Sequence, residues 1–453
     1  MRTIVLAAFL ASAVTAMGNG GGYVYGTASN GALGLFQPKN AQQIEMQTED
    51  LQIDLHLEFG RVRVEYTLHN PGKAITAEIG FPAKAAADLN TDENGKIQED
   101  QITDTPPLND FTAKLDGERV EFRVSRDTAK SKNLPAPNVR GETGPIRHVP
   151  YWYTFKLNFA AGQSRKLLVT YDTSYYSYSG SVSDDSETTP ETLTYLFSTA
   201  AVWKGPIKTG KVTIRAVGIP ADQVKLNLAK RFTRDGNQWT WEFKDFEPTL
   251  ADDLQIVAHP KRVEFGRPLP GAVAKSQSEA PEYADFVNIN ERWSLHHRDY
   301  EATASSTLPA SGENTYDVAN LKDLNSESAW VEGAKGDGIG EKLELTLRTP
   351  RKLAAIALRN GYCKSESTYR NNARIAELAI SVNGAAPFTA AIPDERLEHH
   401  DYEIPLPTDA GEIKTLTLTI QKTYPGAKHQ DTAISELALI TPLERKPQIT
   451  PAR

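Results

Sequence analysis

The stretch Ala329-Trp330-Val331-Glu332-Gly333-Ala334-Lys335-Gly336-Asp337-Gly338-Ile339-Gly340-Glu341 decides how the C-terminal third of the chain folds. It is a glycine-rich polar loop, and the segments that follow it alternate apolar with polar residues. Alternation at period two places every second side chain on one face, so each run predicts a strand with one buried face. Polar loops carrying Trp, Tyr, Arg and Asn between such strands are typical of a β-sandwich that binds ligands at its loop ends. The alternating runs are Leu343/Leu345/Leu347, Ile356/Leu358, Leu378/Ile380/Val382 and Leu416/Leu418/Ile420.

Two later segments complete this pattern. One is Asn360-Gly361-Tyr362 running into Tyr369-Arg370-Asn371-Asn372-Ala373-Arg374-Ile375, and the other is Asp431-Thr432-Ala433-Ile434-Ser435-Glu436-Leu437. Together the three stretches resemble the F5/8 type C (discoidin-like) family, in the variant named for the translocation domain of bacterial NAD glycohydrolases, a glycan-binding module. The resemblance covers about Ala302 to Thr441 and implies a jelly roll. It implies no NAD hydrolysis, which in those toxins belongs to a different domain.

The N-terminal part also has the pattern of strands. Ile53 to Phe59 and Val62 to Leu68 alternate around Gly60-Arg61, which predicts a hairpin, and Leu115-Asp116-Gly117-Glu118 predicts another. Tyr151 to Phe159 alternates and turns at Gly162. We therefore predict an all-β chain, with an N-terminal β-sandwich region, in one or two subdomains, before the jelly roll.

Three N-terminal segments resemble a family of exported bacterial proteins known only as a domain of unknown function. They are Ile44 to Leu51, Val62 to Asn70 and Trp203-Lys204-Gly205-Pro206-Ile207. That resemblance implies no activity.

The first residues have the pattern of a secretory signal peptide. Arg2 is followed by an apolar run from Ile4 to Ala13 and by the small-residue site Val14-Thr15-Ala16. We expect cleavage after Ala16, export to the periplasm or the extracellular space, and no transmembrane segment in the mature chain. The predicted domains are a signal peptide at 1–16, a β-rich domain at 17–265, a linker at 266–284, the jelly roll at 285–442 and a flexible tail at 443–453.

Net charge and cysteine content argue against nucleic-acid binding and against a disulfide-stabilised fold. The formal net charge of −8 provides no basic surface for nucleic acid. Cys363 is the only cysteine, so no internal disulfide forms. We interpret Cys363 as a neutral packing residue.

The strongest chemical hypothesis is sugar binding. Sugars are held by aromatic faces and by planar Arg, Asn and carboxylate groups that bridge neighbouring hydroxyls. Trp330 is a further candidate, although its place at the start of a strand favours a core role. The candidate ligand-binding residues are Trp330, Tyr362, Tyr369, Arg370, Asn371 and Asn372.

A structural calcium ion is the second hypothesis. The resemblance implies an acidic turn tied to a C-terminal Glu, and the segment from Asp323 to Trp330 resembles that turn while Glu436 resembles that Glu. Leu324 stands where the family has Gly, which puts the backbone of the turn in doubt. The alternative is an ordinary Asx-turn. The candidate oxygen ligands are Asp323, Asn325, Ser328 and Glu436.

Two other patterns have ordinary interpretations. Asn90 to Gln101 has the outline of an EF-hand loop, but Asn at its first position and Gln at its twelfth remove two carboxylates, which favours an exposed turn. The adjacent pairs His296-His297 and His399-His400 point apart, so we interpret them as surface histidines.

No catalytic motif is present: neither Gly-x-Ser-x-Gly nor His-Glu-x-x-His occurs. The sequence therefore predicts an exported, non-catalytic protein whose jelly roll binds a glycan or a cell-envelope surface ligand, and it indicates no cofactor other than the structural calcium considered above. Two alternatives stay open: a structural or adhesion protein that uses the jelly roll to dock on another protein, and a secreted hydrolase that uses the jelly roll for targeting. The sequence leaves the oligomeric state open.

Overall fold

The computed structural model divides the chain into two compact units, formed by 1–177 with 190–259 and by 178–189 with 260–453. The predicted signal peptide up to residue 15, the EF-hand-like segment and the tail beyond residue 445 lie outside the described residues. The described residues are 16–18, 41–87, 108–126, 147–175, 179–182, 185–188, 190–268, 283–289, 292–312, 314–398 and 400–445.

The described elements are almost all strands, as predicted. The strands up to residue 259 are Ala16–Gly18 (β1), Glu45–Leu55 (β2), Phe59–His69 (β3), Ile75–Ala87 (β4), Asn109–Leu115 (β5), Glu118–Arg119 (β6), Arg123–Arg126 (β7), Arg147–Phe159 (β8), Ser164–Ser174 (β9), Ser179–Val182 (β10), Asp185–Thr188 (β11), Glu191–Leu196 (β12), Ile207–Ala216 (β13), Lys225–Leu226 (β14), Thr233–Asp235 (β15), Gln238–Phe246 (β16) and Leu254–His259 (β17). The later strands are Arg262–Pro268 (β18), Tyr283–Ile289 (β19), Arg292–His297 (β20), Tyr300–Ala304 (β21), Trp330–Val331 (β22), Lys342–Arg351 (β23), Ala355–Asn360 (β24), Arg374–Val382 (β25), Phe388–Ala391 (β26), Tyr402–Pro405 (β27), Ile413–Tyr424 (β28) and Ala433–Leu443 (β29).

Helices are short. One α-helix, Glu366–Asn371 (α1), is described. The described 3₁₀ turns are Ala41–Gln43, Phe197–Val202, Ala229–Arg231, Leu250–Asp252 and Val318–Lys322.

The first unit is built on an eight-stranded sheet. Its order is β15-β16-β13-β2-β3-β9-β5-β6, with β2 parallel to β13. A four-stranded sheet (β1-β12-β17-β14) and a three-stranded sheet (β4-β8-β7) accompany it. Tyr66 of β3 contacts both, since its hydroxyl lies 3.0 Å from that of Tyr195 and its ring centroid 6.4 Å from that of Phe81. The two smaller sheets therefore share one face of the large sheet around a single core.

The hairpin predicted around Gly60 turns earlier than expected. The chain reverses at residues 56–58, where the His56 N–H donates to the Phe59 carbonyl at 2.9 Å, and Gly60 lies inside β3 opposite Leu55. A Cβ at Gly60 would lie 2.2 Å from the Leu193 side chain. This glycine is therefore present for close packing between sheets, and not for a turn. The second predicted hairpin is correct, with Leu115 opposite Glu118.

The second unit is a two-sheet sandwich. One sheet has the order β10-β11-β18-β19-β20-β29-β24-β27, with β22 added on β29, and the other has the order β21-β23-β28-β25-β26. The alternating apolar residues predicted to face inward form one buried cluster between the sheets. Its members include Tyr300, Trp330, Leu345, Ile356, Leu358, Leu378, Ile380, Leu416, Leu418 and Leu437. This arrangement confirms the predicted β-sandwich.

The boundary between units differs from the sequence interpretation. The units divide at 259/260, whereas the sequence placed a linker at 266–284. Residues 266–268 belong to β18, residues 283–284 belong to β19, and these strands pair from Arg262↔Ile289 to Pro268↔Tyr283. Residues 269–282 lie outside the described residues. The strands β10 and β11 also belong to this unit, because β11 pairs with β18. Backbone pairing with a distant segment leaves no trace in local composition.

Candidate functional site

Three loop segments meet at one end of the second unit. The Glu332 N–H donates to the Thr432 carbonyl at 3.1 Å, and the Ala373 N–H donates to the Asp431 carbonyl at 3.1 Å. The Gly361 N–H donates to the Ala433 carbonyl at 3.0 Å. The segments near Trp330, Tyr369 and Asp431 therefore converge, and the start of β29 lies at the centre of this end.

Polar side chains at the start of β29 each hold a different loop. The Thr432 hydroxyl donates to the Asp337 carbonyl at 2.8 Å. The Ser435 hydroxyl donates to the Gly361 carbonyl at 3.0 Å and accepts from the Cys363 N–H at 2.9 Å. The motif Asp431 to Glu436 thus fixes loop positions from a rigid strand, an arrangement that keeps a binding face preorganised.

Glu332 organises the glycine-rich loop from inside. Its carboxylate is fully buried and accepts from the Ala334 N–H at 2.7 Å and from the Thr432 N–H at 3.2 Å. Burial raises the pKa of Glu332, while these two hydrogen bonds lower it. Gly338, at φ +72°, packs directly on this side chain, because a Cβ there would lie 2.6 Å from the Glu332 Cγ.

Helix α1 presents the polar residues of the second segment. Ser365 caps it, with its hydroxyl accepting from the Thr368 N–H at 3.1 Å, and Thr368 completes a capping box. The loop after β28 supports the other end, since the Ala427 N–H donates to the Arg370 carbonyl at 2.9 Å. Gly426 is required there, because a Cβ would lie 2.5 Å from the Asn371 carbonyl oxygen.

Three of the six predicted ligand-binding residues face solvent. The Arg370 side chain is 76% exposed and pairs with Glu366. Asn371 and Asn372 are half-buried, and their amides donate to the Ser367 hydroxyl at 3.1 Å and to the Thr368 carbonyl at 2.8 Å. These groups form a polar surface at this end of the unit.

The aromatic candidates lie mostly inside. Trp330 is 0% exposed in the core between the sheets, and its indole N–H donates to the Ser306 carbonyl at 3.3 Å, so the core interpretation is correct and a ligand-stacking role is wrong. Tyr369 is 5% exposed: its hydroxyl donates to Asp394 at 3.2 Å, and the Arg374 guanidinium lies 5.0 Å from its ring centroid. Tyr362 is 9% exposed and packs edge-on against Tyr316, which is half-buried. Strand periodicity cannot distinguish an inward from an outward aromatic residue at a loop end.

Sequence reasoning missed two exposed residues of the same end, Lys428 and His429. Both backbone N–H groups donate to the Asn371 carbonyl, at 3.1 and 2.8 Å, which places them beside the solvent-facing part of α1. Pro425-Gly426 marks a turn in the sequence, but its contact with a segment more than fifty residues earlier is a tertiary property.

The four candidate calcium ligands do come together. The Ser328 hydroxyl donates to Asp323 at 2.6 Å, and the Asn325 N–H lies 3.0 Å from Asp323 Oδ1 and 2.9 Å from Glu436 Oε1. Leu324 adopts φ +62°, the conformation in which glycine is favoured. Arg298, which the sequence did not implicate, donates to Glu436 Oε2 through Nε at 3.1 Å, and its Nη2 lies 3.0 Å from the same oxygen. Every described carboxylate oxygen of this cluster therefore already pairs with a protein donor, and with Arg298 in place the cluster does not fit a calcium ion.

Two other sequence interpretations can be compared with the structure. Cys363 is buried, and burial raises the pKa of its thiol to about 11, in agreement with a packing role. The surface assignment of His297 is wrong, because it is 0% exposed in β20 and its Nε2 lies 2.9 Å from the Thr441 hydroxyl. His296 is half-buried.

The first unit contains a cleft of about 520 Å³. Both carboxylates and cations line it. Its charged lining residues are Glu78, Glu118, Glu121, Arg119, Arg123, Lys156 and Arg165. Arg165 is held by Asp116 at 2.6 Å. Among the described residues, no helix has both the length and the apolar character needed to cross a membrane.

Comparison with family models matches both parts of the chain. Residues 297–440 match the NAD glycohydrolase translocation F5/8 type C domain, and residues 26–138 match a domain of unknown function (DUF4424). Both family resemblances stated from the sequence are thereby confirmed, although the segment from Trp203 to Ile207 lies outside the matched residues. A comparison with curated proteins found no match.

Several solved structures are similar to parts of the chain. A Legionella pneumophila protein described as nutrient-binding is 16% identical, with 53% of this chain and 71% of that chain covered and a TM-score of 0.31. The family 32 carbohydrate-binding module from C. perfringens NanJ, in complex with galactose, is 19% identical over 31% of this chain and 93% of its own, with a TM-score of 0.22. The corresponding module of AlyQ, in complex with 4,5-unsaturated mannuronic acid, is 13% identical over 31% and 92%, with a TM-score of 0.22. With such TM-scores, these likenesses carry no argument about function.

Proposed function

We propose that the second unit is a carbohydrate-binding module and that it performs no chemistry. Its ligand face comprises Arg370, Asn371 and Asn372 together with Lys428 and His429. The single observation that carries the proposal is the convergence of three loops on the start of β29, which holds these polar side chains on a rigid two-sheet scaffold. The match of residues 297–440 to an F5/8 type C family supports it.

The chemistry of this face suits sugar hydroxyls. A guanidinium donates in a planar fork, amides both donate and accept, and together they bridge neighbouring hydroxyl groups. Because Trp330 and Tyr369 are buried, recognition relies on hydrogen bonds more than on stacking. Such contacts favour modest affinity and strong dependence on hydroxyl stereochemistry.

We also propose that the protein is exported and that its first unit is non-catalytic. The signal-like start of the sequence supports export. The first unit's cleft is lined by four cations as well as three carboxylates, which is unlike a pair of isolated acid and base groups facing one substrate. Mass spectrometry of the secreted protein tests export, with an N-terminus at Met17 as the expected result.

A glycan array probed with the full mature chain tests the binding function. We expect hits among neutral or uronic-acid oligosaccharides, and we expect Arg370→Ala and Asn371→Ala each to weaken binding about tenfold, the loss of roughly one charged or well-aligned hydrogen bond. A blank array with folded protein would instead favour docking on another protein.

Arg348→Ala is the matched control. Arg348 is an exposed arginine paired with Glu301, as Arg370 is paired with Glu366. It lies six residues along β23 from Lys342, or about 20 Å from the loop end at 3.3 Å per residue. Its removal should leave glycan binding unchanged. Equal loss in both variants would place the binding surface elsewhere.

A further inference from the structure

We propose that Arg298 is a built-in replacement for a structural metal ion, so that the loop from Asp323 to Ser328 is held on β29 without calcium. The guanidinium supplies, from the chain itself, the positive charge that would otherwise come from a cation bound between Asp323 and Glu436.

The two carboxylate oxygens of Glu436 connect Arg298 to the loop. The side chains of Glu436 and Arg298 are 5% and 14% exposed, so the pair is largely removed from solvent. The Nε of Arg298 donates to Oε2 at 3.1 Å, and Nη2 lies 3.0 Å from the same oxygen, so this oxygen is paired with the guanidinium. The other oxygen, Oε1, accepts from the Asn325 N–H at 2.9 Å, which connects the strand directly to the loop.

The loop completes the same arrangement. Asp323 accepts from the Asn325 N–H at 3.0 Å through Oδ1 and from the Ser328 hydroxyl at 2.6 Å through Oδ2. The Asn325 side-chain oxygen accepts from the Glu327 N–H at 3.1 Å. A calcium ion needs six to eight oxygen ligands at 2.3–2.6 Å, and it would have to displace these donors.

A calcium ion and the Arg298 guanidinium would repel each other if both were bound to Glu436. A calcium ion bound to Glu436 would lie within a few ångströms of the guanidinium on the same carboxylate, in a site with little solvent to screen the repulsion. Glu436 is buried and half-buried Asp323 lies beside it, and the Arg298 guanidinium supplies a positive charge next to these two carboxylates. Removing Arg298 would leave a pair of carboxylates, an amide and a hydroxyl, which is the donor set that calcium prefers.

Thermal unfolding of the full chain in calcium and in a chelator tests this role. The wild-type melting temperature should be the same, within about 1 °C, in excess CaCl₂ and in EDTA. Arg298→Ala should melt at least about 4 °C lower in EDTA, because a buried carboxylate loses its partner. Millimolar calcium should restore much of that loss, and terbium luminescence should report a bound ion in this variant only.

Two further variants separate the effect of losing the positive charge at position 298 from a general loss of stability. Arg298→Lys retains the charge and should remain insensitive to calcium, whereas Arg348→Ala, a surface control, should change neither melting temperature nor calcium response. A wild-type protein whose melting temperature rises in calcium or falls in EDTA overturns the proposal, even if Arg298→Ala does not fold. A folded Arg298→Ala variant that ignores calcium and terbium overturns it as well.

Discussion

The guanidinium of Arg374 donates two parallel hydrogen bonds to the carboxylate of Asp394, at 2.6 Å between Nε and Oδ1 and at 2.8 Å between Nη2 and Oδ2. The same guanidinium lies over the Tyr369 ring and donates through Nη1 to the Asn372 carbonyl at 2.9 Å. One buried side chain therefore connects β25, helix α1 and the loop after β26. These contacts hold the solvent-facing residues of α1 in place.

Arg374→Ala should destabilise the protein by about 2 kcal/mol, because it removes a bidentate pair between a buried guanidinium and a partly exposed carboxylate and takes a donor from the Tyr369 and Asn372 carbonyls. Urea unfolding would measure the loss. Hydrogen exchange should also accelerate in residues 366–373, which this side chain supports. The surface variant Arg370→Ala should cost less than 1 kcal/mol. Equal costs for the two would contradict the role assigned to Arg374.

Gly361→Ala should destabilise more than Gly384→Ala. Both glycines have positive φ, at +86° and +74°, so both variants incur backbone strain of about 1 kcal/mol. Only at Gly361 would the new Cβ approach the Tyr369 ring, at 2.8 Å, whereas nothing lies within 4 Å at Gly384. The difference between the two losses of unfolding free energy, about 1–2 kcal/mol, measures the overpacking. A difference near zero would mean that the ring moves freely.

Lowering the pH should destabilise the protein through the buried side chain of His297. Burial, assisted by Arg351 and Arg298 and opposed by Asp299, lowers its pKa to about 4, below the 6.5 of an unfolded histidine. The unfolded chain then binds more protons between these values, so stability rises with pH across that window and is lost as pH falls through it. This histidine should remove about 2 kcal/mol of unfolding free energy between pH 7 and pH 5.

Comparing the loss of unfolding free energy in wild type and in two histidine variants shows whether His297 causes it. His297→Gln should reduce the pH 7 to pH 5 loss, whereas His429→Gln, at an exposed loop position, should leave it unchanged. Identical losses in all three proteins would show that His297 is not responsible.

Cys363 should be unreactive in the folded protein. It is 4% exposed, and burial raises its thiol pKa to about 11, so little thiolate is present near neutral pH. A thiol reagent at pH 8 should label the native chain at least about a hundred times more slowly than the chain in denaturant. Rapid labelling of one thiol per native chain would indicate an opening near Gly361 that the packing does not predict.

Much of the fold follows from local pattern. Period-two alternation in runs such as Leu343/Leu345/Leu347 correctly identifies strands, because one buried face is a property of each strand alone. The sequence interpretation is wrong where packing between sheets decides whether a residue is buried or lies in a turn. Gly60 has the sequence pattern of a turn but lies in a strand under Leu193, and His297 has the pattern of a surface residue but is buried.

The candidate site, too, could be predicted only in part from the sequence. The motif residues Asn360, Gly361 and Asp431 correctly mark the loops that meet, and Arg370 and Asn371 do face solvent. The aromatic candidates do not, because the depth of Trp330 and Tyr369 depends on which sheet covers them. Arg298 carried no sequence signal, since its partner lies 138 residues away.

The amino-acid sequence by itself determined that this chain is built of β-strands, that its last third has the order of motifs of an F5/8 type C domain, and which loops carry polar residues. Those features depend on periodicity and on residues close together in the chain. Only the tertiary structure decided which side chains are exposed, that β10 and β11 complete the second unit's sheet, and that an arginine stands at the predicted metal cluster. The physical reason is that burial, sheet pairing and charge neutralisation depend on partners brought together across the chain, and no local pattern records them.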